Sequence, residues 1–138
     1  MSIILAIDYG ELKCGLAVTD NSQVFAFGLI TIETENLMNY LEKYCIDNEI
    51  SAFVIGQPKR MNDKFSDIER LINKFISRLS LKFSKIPIYR YDERFSSKIA
   101  FKTMIDAGIS KKNRRDKYII DKISATIILQ GYLKSIES

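Results

Sequence analysis

The sequence contains no histidine. Without an imidazole there is no Ser-His or Cys-His dyad and no histidine general base. Zinc sites of the usual His-containing kinds are excluded as well. Any catalysis must fall to carboxylates, lysines, hydroxyls or a thiol, and carboxylates gathered around a hard cation suit that set best. Cysteine is scarce: Cys14 and Cys45 stand far apart, which excludes a Cys-x-x-Cys metal or redox motif and leaves two reduced, mostly buried thiols. No apolar run approaches the ~20 residues needed to cross a bilayer. The opening Met1-Ser2-Ile3-Ile4-Leu5 has neither a charged region nor a cleavage site, so it reads as a first strand and not as a signal peptide. The expectation is a cytoplasmic protein with no membrane partner.

What is present is ordinary in bulk and uneven in detail. The 138 residues suit a single domain spanning 1–138, and 46% apolar with 28% charged residues is near the average of globular proteins. The net charge of +4 is mild. Its distribution says more: Lys98, Lys102, Lys111, Lys112, Arg114, Arg115, Lys117 and Lys122 fall within one stretch whose acids are Asp106, Asp116 and Asp121. A basic half of this kind suits a polyanionic partner, although a charge run is also the usual solvated surface.

Along the chain, Ile3-Ile4-Leu5-Ala6-Ile7 is a continuous apolar run, the pattern of a central strand covered on both faces, and it ends at Asp8-Tyr9-Gly10. Strands are expected at 15–19 and, after the turn-forming Asp20-Asn21-Ser22, at 24–32. The period then changes. Leu37, Leu41, Tyr44 and Cys45 predict a helix over 35–48 with Thr34 as its cap. A buried strand follows at 51–56, then an amphipathic helix carrying Ile68, Leu71, Ile72, Phe75, Ile76 and Leu79, then a strand at 87–91 that ends at Asp92-Glu93. Ser96 or Ser97 caps a further helix to Ala107, with Gly108 as its stop. A basic loop over 110–115 leads to a last helix from about Asp116 to Ile136. This order predicts an α/β fold: a mixed five-stranded sheet, made of a three-stranded antiparallel meander plus parallel strands, with flanking helices.

The acids fall where chemistry is done in such folds. Asp8 ends the first strand and Asp92-Glu93 ends the fifth; if those strands run parallel, both ends emerge at the carboxyl edge, where open α/β sheets bind ligands. Asp121 lies in the first turns of the last helix, where the partial positive charge favours a carboxylate, and it shares a face with Ser124, Ala125 and Ile128. Each position has a bland explanation in a turn, a strand terminus or dipole complementation. Together, in a protein without histidine, they point to a carboxylate cluster. Such a cluster is costly to keep ionised until a divalent cation relieves the repulsion. Mg²⁺ or Mn²⁺ held this way reaches substrate phosphates, and a pair of ions ~4 Å apart activates water against a phosphodiester.

Four segments in register carry a resemblance over nearly the whole chain: Ile7-Asp8-Tyr9-Gly10 with Gly15-Leu16-Ala17-Val18-Thr19-Asp20; Val54-Ile55-Gly56-Gln57-Pro58; Tyr91-Asp92-Glu93-Arg94-Phe95-Ser96-Ser97; and Asp121-Lys122-Ile123-Ser124-Ala125 with Leu129-Gln130-Gly131-Tyr132-Leu133. Together they resemble the YqgF/RuvX family, RNase H-like proteins described as Holliday-junction resolvases and as nucleases maturing the 5′ end of pre-16S rRNA. The resemblance implies an RNase H-like fold and a metal-dependent nuclease with catalytic Asp8, Asp92, Glu93 and Asp121. Of these, Asp8, Glu93 and Asp121 would hold Mg²⁺ or Mn²⁺. Side chains alternate along a strand, so Asp92 and Glu93 cannot both face one metal while the strand continues. Nucleic-acid contacts would come from Lys13, Lys59, Arg60, Arg94, Lys111, Lys112, Arg114 and Arg115. Ser96 and Ser97 match the family's hydroxyl pair. The partner would be pre-rRNA or branched DNA, and the protein a monomer or homodimer. The chain departs from the family after Asp-Tyr-Gly, where Glu11-Leu12-Lys13 replaces a Lys-Arg pair and removes one cation.

Two other readings compete. A nucleic-acid-binding module without catalysis would bind with strong salt dependence and need no metal. An actin-like or sugar-kinase-like phosphate-binding domain would use Asp8-x-Gly10 and Gly15 as its phosphate loop, but such proteins need two domains. The basic loop yields a first prediction. Lys112→Ala with Arg114→Ala should weaken nucleic-acid binding and flatten its salt dependence, as followed by titration at several ionic strengths; an unchanged dependence would remove the loop from the interface.

Overall fold

A computed structural model describes residues 2–58, 63–92 and 117–136, with backbone only for the helical residues 63–66 and 117–121. Five strands, β1 (Ile3–Asp8), β2 (Lys13–Thr19), β3 (Ala26–Glu33), β4 (Ile50–Gln57) and β5 (Ile88–Asp92), form one sheet in the order β3-β2-β1-β4-β5. Among the described residues three helices accompany it: α1 (Leu37–Asp47), α2 (Asp63–Lys82) and α3 (Lys117–Ile136). β1, β2 and β3 pair antiparallel, and β1, β4 and β5 run parallel, which is the expected meander followed by parallel strands. The helix expected from Ser96 to Ala107 lies outside the described residues. No helix among the described residues is long and apolar enough to cross a membrane.

The two faces of the sheet are built from different residues. Leu5, Ile7, Leu16, Phe53 and Ile55 point to one side and pack against Leu37 and Leu41 of α1 and Ile72, Phe75 and Leu79 of α2. The alternate positions, Ile4, Ala6, Ala17, Ala52 and Val54, meet Ala125, Ile128, Leu129 and Leu133 of α3. Large side chains hold α1 and α2 off the sheet, whereas alanines let α3 come close. Gly28 takes this furthest: a Cβ there would meet Lys122 Cγ at 2.8 Å and Thr126 Oγ1 at 3.2 Å. At Gly131 a Cβ would fall on the Tyr91 hydroxyl.

Two of the boundaries that differ from the sequence expectation have a visible cause. Thr34 does not cap α1. It opens a single 3-10 turn (Thr34–Asn36), and its hydroxyl donates to the Gly10 carbonyl oxygen at 2.8 Å instead, so the helix starts at Leu37. β3 starts at Ala26 and not at residue 24, because the amides of Val24 and Phe25 both donate to Asp20 Oδ1 at 2.8 Å and are held in the turn. Gln23 completes that turn in the left-handed region with φ 58°, and its side-chain amide donates to the Ser2 carbonyl oxygen and Ser51 Oγ, both at 3.1 Å. The β2–β3 turn is thereby tied to the amino ends of β1 and β4. Both cysteines are free thiols, Cys14 buried and Cys45 partly so, with burial pushing the Cys45 thiol up.

The amides of Phe25 and Val24 hold the Asp20 carboxyl below its ordinary value. A carboxyl lowered on folding contributes stability above its unfolded pKa and loses it as pH falls through the folded one. Asp20→Ala should therefore lower the melting temperature at neutral pH, with the gap from the parent closing as the solution is acidified below the usual Asp range. A gap independent of pH would mean that the carboxylate is not the stabilising group.

Candidate active site at the carboxyl edge

Asp8 is the last residue of β1 and alternates in phase with Ile4 and Ala6, so it lies on the face covered by α3. Its partner across β2 is Gly15. On β4, the Ile7–Ile55 register continued by one residue sets Gly56 beside it. Asp8 thus stands between two buried positions that carry no side chain. Lys13, at the start of β2 and in phase with Gly15 and Ala17, supplies a cation on the same face.

The carboxyl end of β5 resolves into two directions. Ile88 packs with the core beneath α1 and α2, and Arg90 reaches Glu69 of α2, whereas Tyr89 stacks on Tyr132 of α3 at 5.8 Å and Tyr91 packs with the α3 cluster. Asp92 is in phase with Ile88 and Arg90 and therefore belongs to the α2 face, opposite to Asp8. It pairs with Gln57 across β4. With neighbouring strands ~4.8 Å apart, the Asp8 and Asp92 backbones stand about 10 Å apart along this edge.

α3 is oriented by its contacts. Gln130, Leu133 and Lys134 share a hollow with the β2–β3 turn and the start of β3 (residues 23–27), at the amino end of β1, so the first turns of the helix lie toward the carboxyl edge. Thr126 is level with Gly28, which aligns through Ala17 with Ala6. Asp121 is five residues earlier, about 7.5 Å along the helix, and Asp8 is two residues, about 7 Å, beyond Ala6. The backbones of Asp121 and Asp8 consequently reach a similar height. Ser124 and Ala125, one turn later, are buried.

Among the described residues no three carboxylates or thiols form a group that could hold a metal ion. Glu93, Arg94, Lys59, Arg60, Lys111, Lys112, Arg114 and Arg115 lie outside the described residues, as do the Ser96-Ser97 pair and the side chain of Asp121.

Several supporting residues carry no signal as motifs. Arg90 Nη2 meets Glu69 Oε1 at 2.7 Å and the Gly56 carbonyl oxygen at 3.0 Å, while Arg90 Nε donates to the Ile55 carbonyl oxygen at 3.3 Å. The Gln57 amide donates to the same Glu69 carboxylate at 3.4 Å. One guanidinium therefore joins β5, β4 and α2 directly behind Gly56. Only the glycines themselves, each at a strand position, could have been picked out of the sequence; the Arg90–Glu69 pair joins elements 21 residues apart. On the same side Tyr9 packs on Phe75 with ring centroids 5.1 Å apart, and burial pushes its phenol up. At Gly10 a Cβ would fall on the Lys13 carbonyl oxygen, so the turn that follows Asp8 closes only around glycine.

The chain was compared with known proteins. The family model for RuvX, described as a Holliday junction resolvase, matches residues 2–135. A Flavobacterium johnsoniae protein named "Putative pre-16S rRNA nuclease" is 48% identical over 135 residues, covering 98% of both chains. A Bacteroides thetaiotaomicron protein of the same name is 44% identical over 135 residues, again 98% of both. Among solved structures, T. thermophilus RuvC in complex with Holliday junction substrate aligns with a TM-score of 0.61 at 14% identity, over 98% of this chain and 95% of that one. Fowlpox virus resolvase with its junction DNA aligns at 0.54 and 12% identity, over 99% of each chain. At these identities the two structures bear on the fold, which is that of the RNase H-like resolvases.

Removing the Thr34 hydroxyl tests how firmly the turn after Asp8 is held. Thr34→Val should cost about 1 kcal/mol of stability by leaving the Gly10 carbonyl short of its donor, read as a lower midpoint in urea unfolding. An unchanged midpoint would mean that solvent replaces the hydroxyl without loss.

Proposed function

The chain belongs to the RuvX Holliday junction resolvase family, and from that premise we propose that it is a divalent-metal-dependent endonuclease cutting phosphodiester bonds in structured nucleic acid, with the 5′ end of pre-16S rRNA as its natural substrate. The observation that carries this reading is Asp8 at the carboxyl edge, set between Gly15 and Gly56 on the face that α3 covers. The positions beside this carboxylate on both neighbouring strands carry no side chain, so none stands there in the way of a metal ion. The hard oxygen donors and the lack of imidazole suit Mg²⁺ or Mn²⁺.

In this proposal Asp8, Glu93 and Asp121 hold the metal. Glu93 takes the second position because alternation along β5 directs Asp92 to the α2 face, away from Asp8. Asp92 serves at the outer side of the doublet, beside Gln57. The ion, when bound, polarises the scissile phosphate and lowers the pKa of attacking water. The Arg90–Glu69 pair fixes the end of β5, and with it the acid doublet, against β4. Lys13 faces the phosphates on the α3 side. Arg94 orients phosphate through bidentate hydrogen bonds, while Lys59, Arg60, Lys111, Lys112, Arg114 and Arg115 contact the backbone on either side of the cut. Processing of rRNA places the protein in the cytoplasm and can be done by a monomer. Branched DNA is the other substrate open to the same chemistry, and symmetric cutting of a junction would require a two-fold homodimer.

Purified protein with Mg²⁺ or Mn²⁺, given a labelled pre-rRNA 5′ leader and a four-way DNA junction in parallel, should cut the leader. Asp8→Asn should lower cleavage by more than about a hundredfold, exceeding the loss that an outer partner of a metal ligand brings, while the circular dichroism spectrum stays unchanged. Cutting of the junction alone would move the assignment to branched DNA. Binding of either substrate without cutting under every metal condition would make the protein a non-catalytic nucleic-acid-binding module.

A further inference from the structure

Beyond Glu69, α2 and the turn after it carry Arg70, Lys74, Arg78, Lys82 and Lys85, with no acid before β5. The first four are spaced by four residues and exposed, so they line one flank of the helix at steps of about 6 Å. The ends of this row are partly neutralised, Arg70 by Asp67 at 3.5 Å and Lys82 by Glu42 of α1. The middle cations, Lys74 and Arg78, have no carboxylate within ion-pair distance among the described residues.

Solvation alone accounts poorly for such a row. A surface helix gains from alternating Glu and Lys at four-residue spacing, and like charges at that spacing destabilise it. Here three consecutive like-charged pairs follow one another, an intramolecular cost that a polyanion laid along the flank would offset. Helix-dipole complementation reaches only the last turn and so explains Lys82 but not Lys74 or Arg78.

The row also has a place relative to the site. Arg70 and Lys74 line a hollow of about 470 Å³ together with Glu11 of the β1–β2 turn, three residues after Asp8. Phe75, next to Lys74, carries the Tyr9 ring. The row thus starts beside the carboxyl edge and runs back toward the amino end of the sheet, on the opposite face from α3. Nucleic acid carries one phosphate per ~3.4 Å of axis on each strand, so cations about 6 Å apart fall near every second phosphate of a strand running along the helix.

We propose that the Arg70–Lys74–Arg78 flank of α2 is a second nucleic-acid contact, gripping the phosphate backbone of an arm of the substrate away from the cleaved bond. This rests on the nuclease reading above, and Lys74 and Arg78 are its principal contacts.

The test is equilibrium binding of the pre-rRNA leader and the four-way junction between 50 and 200 mM salt. Asp8→Asn protein serves as the uncut parent and is compared with its Lys74→Gln/Arg78→Gln derivative. A second derivative, Lys43→Gln/Lys134→Gln, removes the same charge from exposed positions off the row. Loss of two duplex phosphate contacts lowers the log–log salt slope by about 1.8. The parent should therefore lose about twelvefold more affinity than the Lys74/Arg78 derivative over that fourfold salt range, and the control derivative should keep the parent's slope. Equal slopes for parent and Lys74/Arg78 derivative would overturn the second contact, as would an equal fall in the control, which would mark a net-charge effect. Either result leaves the nuclease reading standing wherever the protein with Asp8 intact still cuts. Failure of both the parent and the protein with Asp8 intact to bind either substrate would overturn both.

Discussion

β1 and β4 are covered on both faces, and every other feature of the molecule answers to that. Leu5, Ala6 and Ile7 on one strand, and Phe53, Val54 and Ile55 on the other, have no exposed surface. Parallel strands with helices on both sides cannot be reached by tight hairpins, so the connections must cross over the sheet and the carboxyl ends of β1, β4 and β5 come out together. A polar group placed at the last position of such a strand is the first atom past the core. Asp8 occupies that position: it is half-buried while the five residues before it are buried.

The sheet's two faces divide the work. Bulky side chains toward α1 and α2 make the larger share of the core, while Ala6, Ala17 and Ala52, with the glycines beyond them, let α3 lie close over the other face. Close approach of α3 brings a helix terminus, with its partial positive charge, toward the edge that holds Asp8. The same small residues flank the acid, with Gly15 and Gly56 at the positions beside it. Behind that floor Arg90 and Glu69 hold the rim from the opposite side, a charged pair in which both side chains are about one quarter exposed or less.

Much of this could be read from the chain before the structure. Continuous apolar runs marked β1 and β4, the helical period marked α1 and α2, and the acids fell at strand ends. The misreadings have one cause: a side chain with more than one local partner to choose from. Thr34 has the residue type of a helix cap but finds the Gly10 carbonyl across the turn. Val24 and Phe25 have strand propensity, yet their amides are claimed by Asp20. Tertiary pairs such as Arg90 with Glu69 leave no trace in spacing. That Asp92 lies on the α2 face emerged only when the packing of Tyr89 and Tyr91 on α3 set the phase of β5. The cations of α2 were visible as composition, but their alignment beside the β1–β2 turn needed the helix to be placed.

The cover that α3 gives to β1 has a bearing on how the chain reaches this state. The face carrying Ile4, Ala6 and Asp8 is closed by a helix that begins on the order of a hundred residues later, a contact of high sequence separation. The meander of β1, β2 and β3 is local in sequence. Until α3 is available, the alanine face of the sheet has no partner and stays wet. During synthesis on a ribosome the strands of the sheet are therefore made well before the helix that completes the cover over β1.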